Sequence, residues 1–133
     1  MPVIENTRRD KFWVGYFDFA VDGGAIGAIP LRSNDGAIPA LADVLEGYLD
    51  IETALTSGGA ATISGGVESA VDLFAVTAVA TFSLGRKNVL PQPASGSVTA
   101  YNAIRTTVAR VPALTVAAFA LTAGKLRLIL KWR

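Results

Sequence analysis

Few residues in this chain have the type and spacing for chemistry. Asp50 and Glu52 stand two apart, which on a strand puts both carboxylates on one face, about 7 Å from each other. Paired carboxylates at such a spacing can serve glycoside hydrolysis or, with further oxygen ligands, hold calcium. The sequence identifies no further ligand or partner residue beside them, and a solvated strand face accounts for the pair more simply. Ser57 and Ser64 sit beside glycines, yet the chain has no histidine to activate a hydroxyl. Lys87 and Lys125 lie in turn-like contexts rather than in apolar pockets of the kind that activates an amine. Asp22-Gly23-Gly24-Ala25-Ile26-Gly27 lacks the spacing of a dinucleotide fingerprint, and no helical pattern follows to offer its N-terminus to a phosphate. A turn is the better reading.

Bases and aromatics interleave only near the start, at Arg8, Arg9, Lys11, Phe12 and Trp13. Such a mixture can stack on nucleobases, but Glu5 and Asp10 stand beside it and weaken that reading. These five residues are instead read as a protein interface, on an arm lying along a neighbouring chain. Trp13, Tyr16 and Tyr48 are also candidates for a sugar-stacking platform, although core packing is the commoner use of such rings.

The elements that would position these residues read as short strands. Gly47-Tyr48-Leu49-Asp50-Ile51-Glu52-Thr53 alternates with period two, sending Tyr48, Asp50 and Glu52 one way and Leu49, Ile51 and Thr53 the other. Ser57-Gly58-Gly59 carries turn chemistry, so residues 47–67 are predicted to form a hairpin. A second hairpin is predicted at the end of the chain, with a strand over 114–121, a turn at Thr122-Ala123-Gly124, and a return strand whose Leu126, Leu128, Leu130 and Trp132 face inward. Strands are also expected over 12–21, 25–31 and 76–82, the second of them at a sheet edge or exit because it carries Pro30. Asp72-Leu73-Phe74-Ala75 is expected to form a helical turn. Residues 85–96 are read as an irregular connection, and 98–105 and 106–110 as short strand segments. Residues 1–11 form an extended N-terminal arm and 12–133 a single domain. The fold class is all-β: an antiparallel β-sandwich, jelly-roll-like.

Composition narrows the function. The chain of 133 residues suffices for one domain with a real core. It has neither cysteine nor histidine, which removes disulfides, thiolate metal sites and the commonest general base. No cofactor and no metal are expected. With 51% apolar residues and a mean hydropathy of +0.43, the chain reads equally as one with part of its surface covered by another chain and as a compact β-domain rich in Ala and Val. The formal net charge is +1, so no whole-molecule attraction to nucleic acid or membrane is expected. The charges are nevertheless segregated. All eleven acids lie between Glu5 and Asp72, while Arg86, Lys87, Arg105, Arg110, Lys125, Arg127, Lys131 and Arg133 follow without an acid among them. In an interleaved sandwich these two sets can pair within one molecule, and that reading is preferred over a bipolar subunit. Val111 to Ala123 contains Pro112 and is too short to span a bilayer.

Several stretches together resemble a known class of proteins. Tyr16-Phe17-Asp18-Phe19-Ala20-Val21-Asp22-Gly23-Gly24-Ala25-Ile26-Gly27, Gly47-Tyr48-Leu49-Asp50-Ile51, Thr56-Ser57-Gly58-Gly59-Ala60-Ala61-Thr62-Ile63-Ser64 and Ala120-Leu121-Thr122-Ala123-Gly124-Lys125-Leu126 are similar to blocks in small virion structural proteins of tailed double-stranded DNA phages. The blocks are scattered over residues 14–130, and they are turn-and-strand motifs without a catalytic signature. The resemblance implies a capsid decoration, or cement, protein: non-enzymatic, homo-oligomeric with a trimer favoured, and bound to the major capsid protein on the outer surface of the virion. A head-fibre base or minor tail protein is the alternative, with a carbohydrate-binding module and a hydrolase using Asp50 and Glu52 behind it.

Overall fold

The computed structural model describes residues 10–92 and 103–133. Two antiparallel sheets pack face to face. One holds β1 (Lys11–Asp18), β9 (Leu121–Trp132), β3 (Asp43–Ser57) and β6 (Gly85–Val89) in that order, with the two-residue β7 (Ile104–Arg105) also on β3. The other holds β2 (Gly27–Pro30), β8 (Ala113–Ala117), β4 (Thr62–Gly66) and β5 (Phe74–Ala78). The only α-helical element among the described residues is one turn, α1 (Phe19–Asp22). It is started by Asp18, whose carboxylate accepts the Ala20 N–H at 3.0 Å. The expected strand over 12–21 therefore stops at Asp18. The antiparallel β-sandwich expected from the sequence is what forms.

Period-two alternation supplies the core. Trp13 and Phe17 from β1, Leu49 and Ile51 from β3, and Leu126, Leu128 and Leu130 from β9 are all buried. Ile63, Leu114 and Val116 meet them from the second sheet. The partners Trp13 with Leu130, Gly15 with Leu128 and Phe17 with Leu126 lie side by side. Trp132 lies only partly buried at the end of this row. Thr53 departs from the expected alternation and is exposed, because the β3–β9 register shifts between Ile51 and Thr53 and again before Thr56. The irregularity returns Leu55 to the core.

Both predicted hairpins are corrected. β3 and β4 flank Ser57-Gly58-Gly59 as expected, but they lie in different sheets, and the same is true of β8 and β9. The long strands β3 and β9 pair with each other, and the short strands β4 and β8 do likewise. Each arm carries its own inward apolar row, so the arms face across the core instead of lying side by side. The two linkers meet at one end of the sandwich, where a Cβ at Gly59 would stand 2.7 Å from the Phe119 ring. Thr122-Ala123-Gly124 is not a turn. It lies inside β9, and Gly124 takes a φ of 145° at an irregular step of that strand.

Smaller expectations also change. Residues 85–89 form β6, pairing with residues 47–51 of β3. Asp72 starts no helical turn, since Phe74 opens β5. Among residues 106–110, only an isolated bridge from Arg110 to Ile38 has strand pairing, and the part of the expected 98–105 strand up to residue 102 lies outside the described residues. The strand expected over 76–82 is displaced, since β5 ends at Ala78 and a single 3-10 turn covers Val79–Thr81. β2, with Pro30, is an edge strand as expected. Residues 1–9 of the expected arm lie outside the described residues, and its end is corrected, because Lys11 already belongs to β1.

Candidate functional site

Of the residues singled out for chemistry, Tyr16, Tyr48, Asp50 and Glu52 lie on the outer face of the five-stranded sheet, while Trp13 and Ser64 are buried. Strand alternation and register place the outer residues in rungs. Tyr16, Arg127, Asp50 and Arg86 form one rung across β1, β9, β3 and β6. Val14, Ile129, Tyr48 and Asn88 form the next, and Phe12, Lys131 and Glu46 the one after.

The ion pairs follow the same ladder. Arg127 donates from Nη2 to Asp50 Oδ2 at 2.6 Å, and its Nε stands 3.6 Å from Glu52 Oε1. Lys125 approaches the other Glu52 oxygen at 3.7 Å. Lys131 lies 2.7 Å from Glu46 and 3.7 Å from Asp10, whose carboxylate also accepts from Arg133 Nε at 2.8 Å. The hydrogen bond to Asp50 raises the Arg127 pKa above the usual arginine value, and the bond to Glu46 does the same for Lys131. Elsewhere, Arg105 grips Asp43 at 2.9 Å and Arg110 grips Glu68 at 2.9 Å. Acids from before residue 73 thus pair with cations from after it, inside one molecule, as preferred from the sequence.

These pairs decide what Asp50 and Glu52 can do. Both carboxylates face cations on the neighbouring strand, and the face is an ion-pair ladder. Ser57 is occupied locally, its hydroxyl donating to the Gly59 carbonyl. Ser64 is buried in β4. Lys87 Nζ donates to Ser83 Oγ at 3.2 Å. Asp22 sits at the C-terminal end of α1 and accepts from Arg32 at 2.8 Å and from the Asp18 N–H at 2.8 Å. Gly23 caps α1 with a φ of 73°, and the hairpin turn expected here is corrected, because β1 and β2 lie in different sheets. Among the described residues, no three acidic side chains come together as metal ligands would.

The aromatic candidates separate. Trp13 is 1% exposed and its Nε1 donates to the Gly36 carbonyl at 2.7 Å. It is a core residue, so its expected contact with a neighbour is corrected: alternation sends Trp13 inward and Phe12 outward. Phe12 is 62% exposed. Lys11 is exposed and its ammonium lies 5.0 Å over the Trp132 ring. Arg8 and Arg9 lie outside the described residues. Two hollows flank the ladder. One, of about 450 Å³, is bordered by Tyr16, Asp18, Arg32, Glu52, Lys125 and Arg127. The other, of about 360 Å³, is bordered by Phe12, Tyr48, Arg86, Asn88 and Lys131, and the Arg86 guanidinium stacks 4.1 Å over the Tyr48 ring. This face offers a partner fixed charges, exposed apolar rings and shallow relief.

Two buried polar residues escaped the sequence reading. Asp72 is 1% exposed, and its carboxylate accepts the N–H groups of Val67, Glu68 and Ser69 at 2.8, 3.0 and 3.0 Å. An acid inside the apolar run Val71-Asp72-Leu73-Phe74 was the available signal, since a buried carboxylate must find donors. Thr106 is fully buried and its hydroxyl donates to the Pro39 carbonyl at 2.7 Å while accepting the Ala42 N–H at 3.0 Å. These partners are 64 to 67 residues away in the chain, and nothing local announces them.

Comparison with solved structures finds the same fold in phage particles. The chain is similar to a chain of the cyanophage Pam1 capsid asymmetric unit, with a TM-score of 0.63 and 20% identity, covering 99% of this chain and 89% of that one. It is also similar to a chain of the acidic stable capsid structure of Helicobacter pylori bacteriophage KHP30, with a TM-score of 0.54 and 15% identity, covering 92% and 86%. No family model and no curated protein matches. At these identities the likeness is one of fold, and it runs through both sheets of the sandwich.

Proposed function

We propose that this protein is a structural component of a phage head, a decoration (cement) protein that oligomerises and reinforces the outer surface of the shell by binding the major capsid protein between capsomers. The observation that carries the reading is the fold match to a phage capsid chain along 99% of this sequence. The resemblance of the turn-and-strand blocks supports it. So does the chemistry of the charged face, where Asp50 and Glu52 are engaged by Arg127 and Lys125. Arg8 and Arg9 of the N-terminal arm, with Lys11 and Phe12 at the start of β1, remain the proposed contacts with neighbouring chains. Attachment of this kind needs only modest free energy per copy, because many copies act together on one shell.

Quantitative mass spectrometry of purified particles tests the reading. A copy number that scales with the number of capsomers is expected, together with particles that lose heat stability when the chain is omitted. A handful of copies per particle would favour the head-fibre base or minor tail alternative. Tyr16 and Tyr48 beside the two hollows give the carbohydrate-binding alternative its footing, and glycan-array binding by the isolated protein would favour it.

A further inference from the structure

Arg86 is a cation that the charged face leaves without an acid. Asp50 has two arginines as register partners, Arg127 on β9 and Arg86 on β6. Arg127 takes the carboxylate at 2.6 Å. Lys125, Lys131 and Arg133 are likewise engaged, by Glu52, Glu46 and Asp10. Among the described residues no carboxylate pairs with Arg86, which is exposed and lies 4.1 Å over the Tyr48 ring instead. Stacking of this kind restrains the side chain while leaving the N–H groups of the guanidinium fork free to donate.

Arg86 borders the hollow of about 360 Å³, together with Tyr48, Asn88, Phe12 and the Glu46–Lys131 pair. That pair neutralises itself at 2.7 Å, so the uncompensated charge of the hollow is the one on Arg86. Phe12 is 62% exposed and gives the hollow an apolar wall. β6, which carries Arg86 and Asn88, is an edge strand of its sheet, and an extended segment of another chain can lie along such an edge. These features select a ligand. A guanidinium fork matches a planar carboxylate through two parallel N–H···O bonds. The exposed Phe12 ring favours an apolar group beside that carboxylate. One uncompensated cation, with Glu46 in the same lining, gives little hold on a run of phosphates. The guanidinium also takes a face of Tyr48 on which a sugar would stack.

We infer that this hollow receives an acidic side chain of a partner protein, an Asp or Glu carboxylate on Arg86 with a neighbouring apolar side chain against Phe12. The inference rests on the proposed function for the identity of that partner, the shell protein, and names the contact. Two measurements keep the site and the shell function apart. In the first, the full chain is titrated with a capped leucine–glutamate–leucine tripeptide at millimolar concentration and followed by amide NMR. The amides of Tyr48, Arg86 and Asn88 are expected to shift, and to stay in place when glutamine replaces the glutamate. Equal shifts with both peptides, or none with either, overturn the inference. Larger shifts of the same amides with a single-stranded oligonucleotide also overturn it, assigning Arg86 to phosphate. In the second, heads assembled without the chain are titrated with the protein. Arg86→Gln is expected to weaken binding about tenfold or more. Arg86→Lys keeps the charge and loses the fork, and is expected to weaken binding less. Lys87→Gln, at the neighbouring cation that bonds to Ser83, is expected to leave it unchanged. Circular dichroism checks that each variant keeps its strands. An Arg86→Gln variant that binds heads like wild type overturns the inference. A wild type that ignores heads yet binds the glutamate peptide through Arg86 supports the inference and overturns the shell function instead.

Discussion

Arg127 on β9 and Asp50 on β3 are direct register partners, and the guanidinium reaches the carboxylate across 2.6 Å. That contact turns a catalytic-looking acid pair into a rung of a surface ladder. Its energetic weight is small because the Arg127 side chain is 42% exposed, and water and salt screen the pair.

Asp50→Asn is accordingly expected to lower the thermal midpoint only slightly, with the difference shrinking further in high salt. Leu128→Ala, one residue along and fully buried, is expected to cost about 2–5 kcal/mol. Thermal and chemical unfolding of the two variants side by side checks this. Comparable losses would mean that the ladder is a principal source of stability.

Asp72 gives the opposite expectation for an acid. Its removal in Asp72→Ala strands the N–H groups of Val67, Glu68 and Ser69, at an expected cost of about 2–4 kcal/mol. Asp72→Asn, which keeps one acceptor oxygen, should recover part of that. Urea unfolding measures both, and an alanine variant as stable as wild type would show that water replaces the carboxylate.

Thr106→Val keeps the shape and deletes the hydroxyl that joins Pro39 to Ala42. The expected loss is about 1–3 kcal/mol, with Thr106→Ser close to wild type. Hydrogen exchange should quicken at the Ala42 amide in the valine variant alone. Unchanged exchange would mean that the backbone bonds from Leu41 to Thr106 and from Thr106 to Ala42 suffice to hold this segment.

The pH dependence follows from the carboxylates. The hydrogen bond from Arg110 holds Glu68 below its usual pKa, and that from Arg133 does the same for Asp10. Burial pushes Asp22 upward, but the bonds from Arg32 and the Asp18 N–H outweigh it and the net shift is down. A carboxyl depressed in the folded state takes up protons more readily in the unfolded chain. Its contribution is therefore complete above the ordinary carboxylate range, near about pH 4–5, and is lost as pH falls through the depressed values. Lys131 is raised, so its contribution holds until pH climbs past the ordinary lysine value of about 10.4. With neither histidine nor cysteine in the chain, unfolding midpoints measured across about pH 5–8 should be flat. A transition near neutrality would contradict this assignment.

Local chemistry alone was enough for the fold class and for the inward rows. Leu126, Leu128 and Leu130 alternate with Arg127, Ile129 and Lys131, and Leu49 and Ile51 with acids, so each strand's buried face is written in its own residues. The separation of acids from bases along the chain likewise announced the pairing that the sheets complete. Partners were another matter. A glycine-rich turn after Thr56 reads the same whether the chain returns beside itself or crosses to the opposite layer. Period two sets the face of a strand and not its neighbour. Only the packing of β3 on β9 and of β4 on β8 settled that. The same long-range closure put Trp13 in the core, gave Asp50 its arginine from 77 residues away, and tied Pro39 to Ala42 through Thr106. Each of these depends on residues that become neighbours only when two sheets close over one core, and no window of sequence contains both members.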